Sequence, residues 1–115
     1  MISRALNAAV LKPFILSLLA RGDSYGYEII QHVHDLTGGR IEWTAGTLYP
    51  VLHSLESDGL LESYWQPAQQ GPRRKFYRIT SAGHKALRTE QADWVSVFRA
   101  MSSLWSGSLP APQKA

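Results

Sequence analysis

A chain of 115 residues, 44% hydrophobic and 18% charged, has room for one domain with a thin core plus an extension. Its formal charge of +3 and pI near 9.5 favour a polyanionic partner such as nucleic acid. The absence of cysteine excludes a disulfide framework, a thiolate nucleophile and a Cys-based zinc site, and it permits a cytoplasmic location.

Near the start, Arg4 precedes an apolar run ending at Ala20. Lys12 and Pro13 interrupt that run and no small-x-small site follows it, so neither an export signal nor a membrane span is expected. The spacing predicts a helix that takes Pro13 in its first turn, buries Phe14, Ile15, Leu18 and Leu19, and stops at Gly22. A separate short helix over Ile2 to Leu11 is expected ahead of it. Asp23 or Ser24 should cap the next helix, where Ile29, Ile30, Val33 and Leu36 recur at helical spacing before Gly38 and Gly39 end the run. His32 and His34 are two positions apart and face opposite ways, so no shared metal and no cofactor are expected.

The stretch from Thr44 to Gly59 organises the rest. Leu48, Val51, Leu52 and Leu55 form one helical stripe, with Thr44 as N-cap and Gly59 as the stop. The remaining face, with Thr47, Pro50, His53, Ser54 and Ser57, is small, uncharged and able to hydrogen-bond. A solvated helix would carry Lys and Glu there; this face suits a helix pressed into a DNA groove. Pro50 leaves the Gly46 carbonyl without its helical partner, which predicts a loose or kinked first turn. With the two preceding helices and the short link Arg40 to Trp43, the outline is a helix-turn-helix unit.

After Gly59 the period changes to two. Leu61, Ser63 and Trp65 alternate with Leu60, Glu62 and Tyr64, a polar tip follows from Gln66 to Pro72, and alternation resumes from Arg73 to Thr80. This is a β-hairpin. Its exit carries Arg73, Arg74 and Lys75 in succession, with Arg78 close behind. Contact with phosphates would relieve the self-repulsion of so many cations, which makes the hairpin a wing that grips DNA.

The run Tyr25-Gly26-Tyr27-Glu28-Ile29, then Gly46-Thr47-Leu48-Tyr49-Pro50, then Leu55-Glu56 with Asp58-Gly59-Leu60, then Arg73 to Thr80 with Gly83, resembles the PadR family of winged-helix transcriptional regulators. The resemblance covers Phe14 to about Trp105. It implies a homodimeric repressor whose third helix enters the major groove of double-stranded DNA while the wing follows the neighbouring backbone or minor groove. Tyr25, Thr47, Tyr49 and Pro50 would then sit at the DNA surface, beside Thr44, Gly46 and His53, with Arg73, Arg74 and Lys75 on the wing. Thr44 to Gly59 contain no Arg or Lys, so the usual bidentate guanine contact is missing and specificity leans on apolar contacts and DNA shape.

From Thr80, a plausible cap, to about Trp105, the residues Leu87, Gln91, Trp94, Phe98, Met101 and Trp105 step at heptad spacing. Such a helix outruns the small body, so the seam is expected to pair with a second copy, Gln91 setting register. Small PadR-like regulators with one C-terminal helix include members that bind flat aromatic compounds at the dimer interface through a tryptophan of the matching stretch. The resemblance thus implies an effector site at Trp94 and Phe98, lined by Lys12, Ser17 and Asp93, with a plain packing anchor at Trp94 as the alternative. Residues beyond Trp105 read as a disordered tail.

The expected architecture is mainly α with a small β-hairpin: a winged helix-turn-helix over residues 1–80, a dimerisation helix over 81–105 and a tail over 106–115. No phosphate loop, H-E-x-x-H or nucleophile elbow points to an enzyme, and no membrane partner is expected. The competing reading is a winged-helix module that binds protein alone, without DNA or effector; a steep salt dependence of binding would separate the two.

Overall fold

The computed structural model describes residues 2–67 and 71–106. The chain runs α1 (Arg4–Leu19), β1 (Ser24–Tyr25), α2 (Gly26–Leu36), α3 (Ala45–Ser57), β2 (Leu61–Gln66), β3 (Arg74–Ile79) and α4 (Ser81–Trp105). This is the expected mainly helical winged fold with a small antiparallel sheet.

The first helix differs from its expectation. One continuous α1 replaces the separate helix over Ile2 to Leu11 and a later start at Pro13. The Ser3 hydroxyl accepts the Leu6 amide at 3.1 Å and starts the helix early. Pro13 then falls inside it, and the Ala9 carbonyl it deprives of a partner belongs to an exposed turn where water can replace the lost bond. Leu11, Ile15, Leu16, Leu18 and Leu19 are buried against Ile29 and Val33 of α2, Leu48, Leu52 and Leu55 of α3, Leu61, Tyr77 and Ile79 of the sheet, and Leu87 at the base of α4. Trp43 closes the core beneath the link into α3: its indole N–H donates to Asn7 Oδ1 at 2.9 Å and its ring meets Phe14 edge-on.

The start of α2 also departs from the sequence reading. Neither Asp23 nor Ser24 caps it; Ser24 and Tyr25 form β1, and Tyr25 occupies the cap position without a side-chain bond. Both polar side chains are engaged elsewhere: the Ser24 hydroxyl donates to Glu28 at 2.5 Å, and Asp23 accepts from Tyr64 at 2.6 Å and Arg78 at 3.4 Å. The sheet order is β1-β3-β2, all antiparallel. The hairpin register runs from Leu61 opposite Ile79 to Gln66 opposite Arg74, which carries the wing beyond the core. Two glycines allow close approach: a Cβ on Gly26 would collide with the Tyr49 phenol, and one on Gly83 would strike the Leu60 carbonyl.

Candidate nucleic-acid interface

The candidate surface begins with the two-sidedness of α3. Leu48, Leu52 and Leu55 are buried, and Thr44, Gly46, Thr47, Pro50 and His53 are exposed. Thr44 caps the helix as expected, its hydroxyl accepting the Thr47 amide at 3.2 Å, while its carbonyl takes both the Thr47 and Leu48 amides. The helix continues through Pro50 to Ser57, so the proline does not end it. Tyr49 stands between the two faces, half-buried, its hydroxyl over Gly26 and its ring 6.2 Å from that of His53.

On the wing, each of the three consecutive cations rests on a ring. Arg73 lies 5.0 Å over Trp65, Arg74 lies 4.6 Å over Tyr25, and the Lys75 ammonium is 5.7 Å from Tyr77. Arg74 also donates to the Tyr25 hydroxyl at 3.1 Å. The rings hold neighbouring positive charges in separate places before any anion arrives, which lowers the ordering cost of binding one.

Arg78 is not part of that set. Alternation along β3 puts Arg78 on the face of Arg74 and Phe76, so what sets it apart is its partners. Arg78 contacts Glu62 at 2.9 Å and Asp23 at 3.4 Å and stacks 4.7 Å over Tyr64. Its pKa is raised, first by its bond to Tyr64 and then by Asp23; the Tyr64 phenol is raised chiefly by its bond to Asp23. With two carboxylates beside it, Arg78 is compensated and withdrawn from the wing cations.

Between α3, the start of α2 and the wing runs an open groove of about 410 Å³. Six of the residues expected to face DNA line it: Tyr25, Tyr49, His53, Arg73, Arg74 and Lys75. Thr44, Gly46, Thr47 and Pro50 lie outside it on the exposed helix face. Among the described residues no carboxylate lines the groove, and its charged lining side chains are Arg73, Arg74 and Lys75. Three lining residues are not among those expected to face DNA: Tyr27, 69% exposed, Trp65, 53% exposed, and the buried Tyr77. The alternation that groups Trp65 with Leu61 and Ser63 on one side of β2 is the sequence signal for it. Tyr77 borders the groove, fully buried; burial pushes its phenol up to about 12, with Glu56 and Tyr49 adding, and its hydroxyl has no hydrogen-bond partner among the described residues.

A family model described as the transcriptional regulator PadR-like family matches residues 15–89, which span α1 to the base of α4. The chain belongs to the PadR-like family. Among its relatives, a transcriptional regulator of Mycobacterium tuberculosis is 38% identical over 88 residues, covering 76% of this chain and 78% of that protein. Solved structures agree. A transcriptional regulator from Clostridium thermocellum superimposes with a TM-score of 0.81 at 32% identity, over 90% of this chain and 97% of the other. A PadR family regulator from Clostridium difficile gives 0.71 at 33% identity, over 83% and 97%. The PadR-like chain is therefore a DNA-binding transcriptional regulator and not an enzyme.

The C-terminal helix of this PadR-like regulator carries the other expected site. Leu87 is buried in the core of its own domain, so it is not available to a seam; the exposed ridge begins above it. Gln91 is exposed, Trp94 is half-buried, and Phe98, Met101 and Trp105 are exposed. The Trp94 indole N–H donates to Glu90 at 3.2 Å, and Lys12 lies 3.7 Å from the other oxygen of that carboxylate. Glu90, absent from the sequence reading, thus joins α1 to the tryptophan. Asp93 and Trp94 line a shallow concavity of about 160 Å³ with Val97. Ser17, half-buried on α1, and Phe98 do not line it. Among the described residues, no group of three or more His, Cys, Asp or Glu could hold a metal ion, and no helix is long and apolar enough to cross a membrane. The expected tail over 106–115 lies, past Ser106, outside the described residues, as do positions 68–70 at the wing tip.

Proposed function

We propose that this PadR-like chain works as a cytoplasmic homodimeric repressor of a palindromic operator, released by a small planar aromatic effector held where two α4 helices meet. One observation carries the dimer: Val95, Val97, Phe98, Met101, Leu104 and Trp105 are all exposed on a helix that leaves the body, with Phe98 57% and Leu104 83% exposed. An apolar ridge of this kind on a monomer would be an aggregation site; on a two-fold axis it is self-complementary. Its breadth exceeds a strict two-stranded seam, since on a helical wheel Val97 and Val95 flank the line of Trp94, Phe98, Met101 and Trp105 on opposite sides.

A dimer sets two copies of α3 on one side of DNA, where half-sites recur about 34–36 Å apart. A planar molecule between paired Trp94 rings would alter the spacing of the helices, and coupling of about 1–3 kcal/mol would change DNA affinity roughly five- to 150-fold. The Glu90 bond that fixes the Trp94 indole supports this reading, because a fixed ring is a better stacking platform.

Sedimentation of the purified protein at micromolar concentration tests the dimer: two copies are expected, and a well-folded single copy overturns it. Titration with a planar dye tests the effector site: quenching of tryptophan emission is expected, and absence of quenching, or equal quenching in Trp94→Ala, removes it.

A further inference from the structure

We propose that Trp65 contacts DNA directly, its indole packing on a deoxyribose of the strand whose phosphates Arg73 and Lys75 neutralise; this rests on the DNA-binding reading of the groove. The register of the hairpin gives the first argument. Leu61 opposite Ile79 and Ser63 opposite Tyr77 precede Trp65 opposite Lys75 on the same face of the strand pair. Leu61, Ile79 and Tyr77 are buried, so the face that Trp65 continues is the one that packs on the body, carried past the point where the body ends.

The second argument is exposure. An indole is a large apolar surface, and 53% of this one faces solvent in a groove. Arg73 covers a ring face at 5.0 Å, and no other ring contacts Trp65 among the described residues. Charge supplies the third argument. Arg73, Trp65 and Lys75 present cation, apolar ring and cation, with no carboxylate among the described residues of the groove wall. A sugar–phosphate strand alternates anion and apolar furanose in the same manner. A free inorganic anion would leave the indole unused, and an apolar partner would leave the cations uncompensated. Tyr27 is a further exposed phenol of this groove.

Because every nucleotide carries the sugar, this contact raises affinity for all duplexes, and because it is uncharged it releases no counterion. The experiment measures binding of a mixed-sequence duplex across a salt series for the wild type, Trp65→Ala, Trp65→Phe and Arg73→Ala. Trp65→Ala is expected to lose about tenfold in affinity at every salt with an unchanged log–log slope, and Trp65→Phe to recover most of it. Wild-type emission should also change on DNA binding by more than that of Trp65→Phe. A Trp65→Ala slope reduced by about 0.9, as for Arg73→Ala, would mean that the indole acts only as a rest for Arg73 and overturns the proposal. Wild-type affinity in Trp65→Ala overturns it too and leaves the wider reading standing; a wild type that binds no duplex at any salt sinks both.

Discussion

The α-carbon of Gly26 and the phenol of Tyr49 are so close that a single methyl group on the glycine would overlap the Tyr49 hydroxyl. The first turn of α2 therefore serves as the backstop that sets the ring of a groove-lining residue on α3. The hydroxyl is the far end of a movable side chain, so Gly26→Ala should displace Tyr49 rather than disrupt the core. Operator affinity is expected to fall several-fold, while stability falls by about 1 kcal/mol. In a Tyr49→Ala background the added methyl should cost nothing further, which a double-mutant cycle on binding and melting would read.

Gly83 makes the opposite case. A Cβ there would meet the Leu60 carbonyl, a backbone atom that Thr80 already uses through its amide at 3.0 Å. Backbone on both sides cannot yield without moving α4 away from the sheet. Gly83→Ala should cost about 1–3 kcal/mol in denaturant unfolding, more than Gly26→Ala; an unchanged midpoint would contradict the close approach.

Tyr77 gives a pH-dependent prediction. Its phenol is pushed from 10.0 to about 12, first by burial. Between those values the unfolded chain has lost this proton and the folded chain has kept it, so the folded state binds more protons and stability falls as pH rises. The contribution is intact below pH 10 and is lost as pH climbs toward 12. Tyr77→Phe should remove this decline of about 1.4 kcal/mol per pH unit. At neutral pH the same change should be neutral or slightly stabilising, because it deletes a buried hydroxyl without a partner among the described residues. Urea melts of both proteins across the alkaline range test the two statements together.

Arg78 separates charge from function on the wing. Its guanidinium is met by Glu62 and Asp23, whereas Arg73, Arg74 and Lys75 rest on rings in the groove. Arg78→Ala should leave the salt slope of DNA binding unchanged and cost little stability, as exposed ion pairs do. A slope reduced as much as in Arg74→Ala would return Arg78 to the phosphate-binding set.

Much of this arrangement was legible in local pattern. The stripe of Leu48, Val51, Leu52 and Leu55 and the alternation from Leu61 to Ile79 are set by neighbours within a turn or a strand; the three leucines are buried with Val51 half-buried beside them, and the strands pair in that alternation. What stayed hidden depends on distant partners. Asp23 and Ser24 look like helix caps because they are short and polar, yet Asp23 answers to Tyr64 and Arg78, which lie 41 and 55 positions away in sequence. Two-residue β1 carries no alternation to detect. Leu87 fits a heptad as well as a core, and only the core assembled from the other elements decides. Gly26 and Gly83 stood out in the motif, but what each leaves room for is visible only in three dimensions. The exposure of Trp65 and Tyr27 depends on where the body ends, which no window of sequence states.

The groove between α3 and the wing, without a carboxylate among its described lining residues, is proposed to hold DNA phosphates on Arg73, Arg74 and Lys75. Fluorescence anisotropy of a labelled duplex, titrated over a salt series with the wild type and with all three cations changed to Ala, tests it most directly. The wild type should weaken linearly in log–log terms, and the variant should lose about 0.9 in slope for each phosphate contact removed. Equal slopes for the two proteins, or a wild type indifferent to salt, would contradict it.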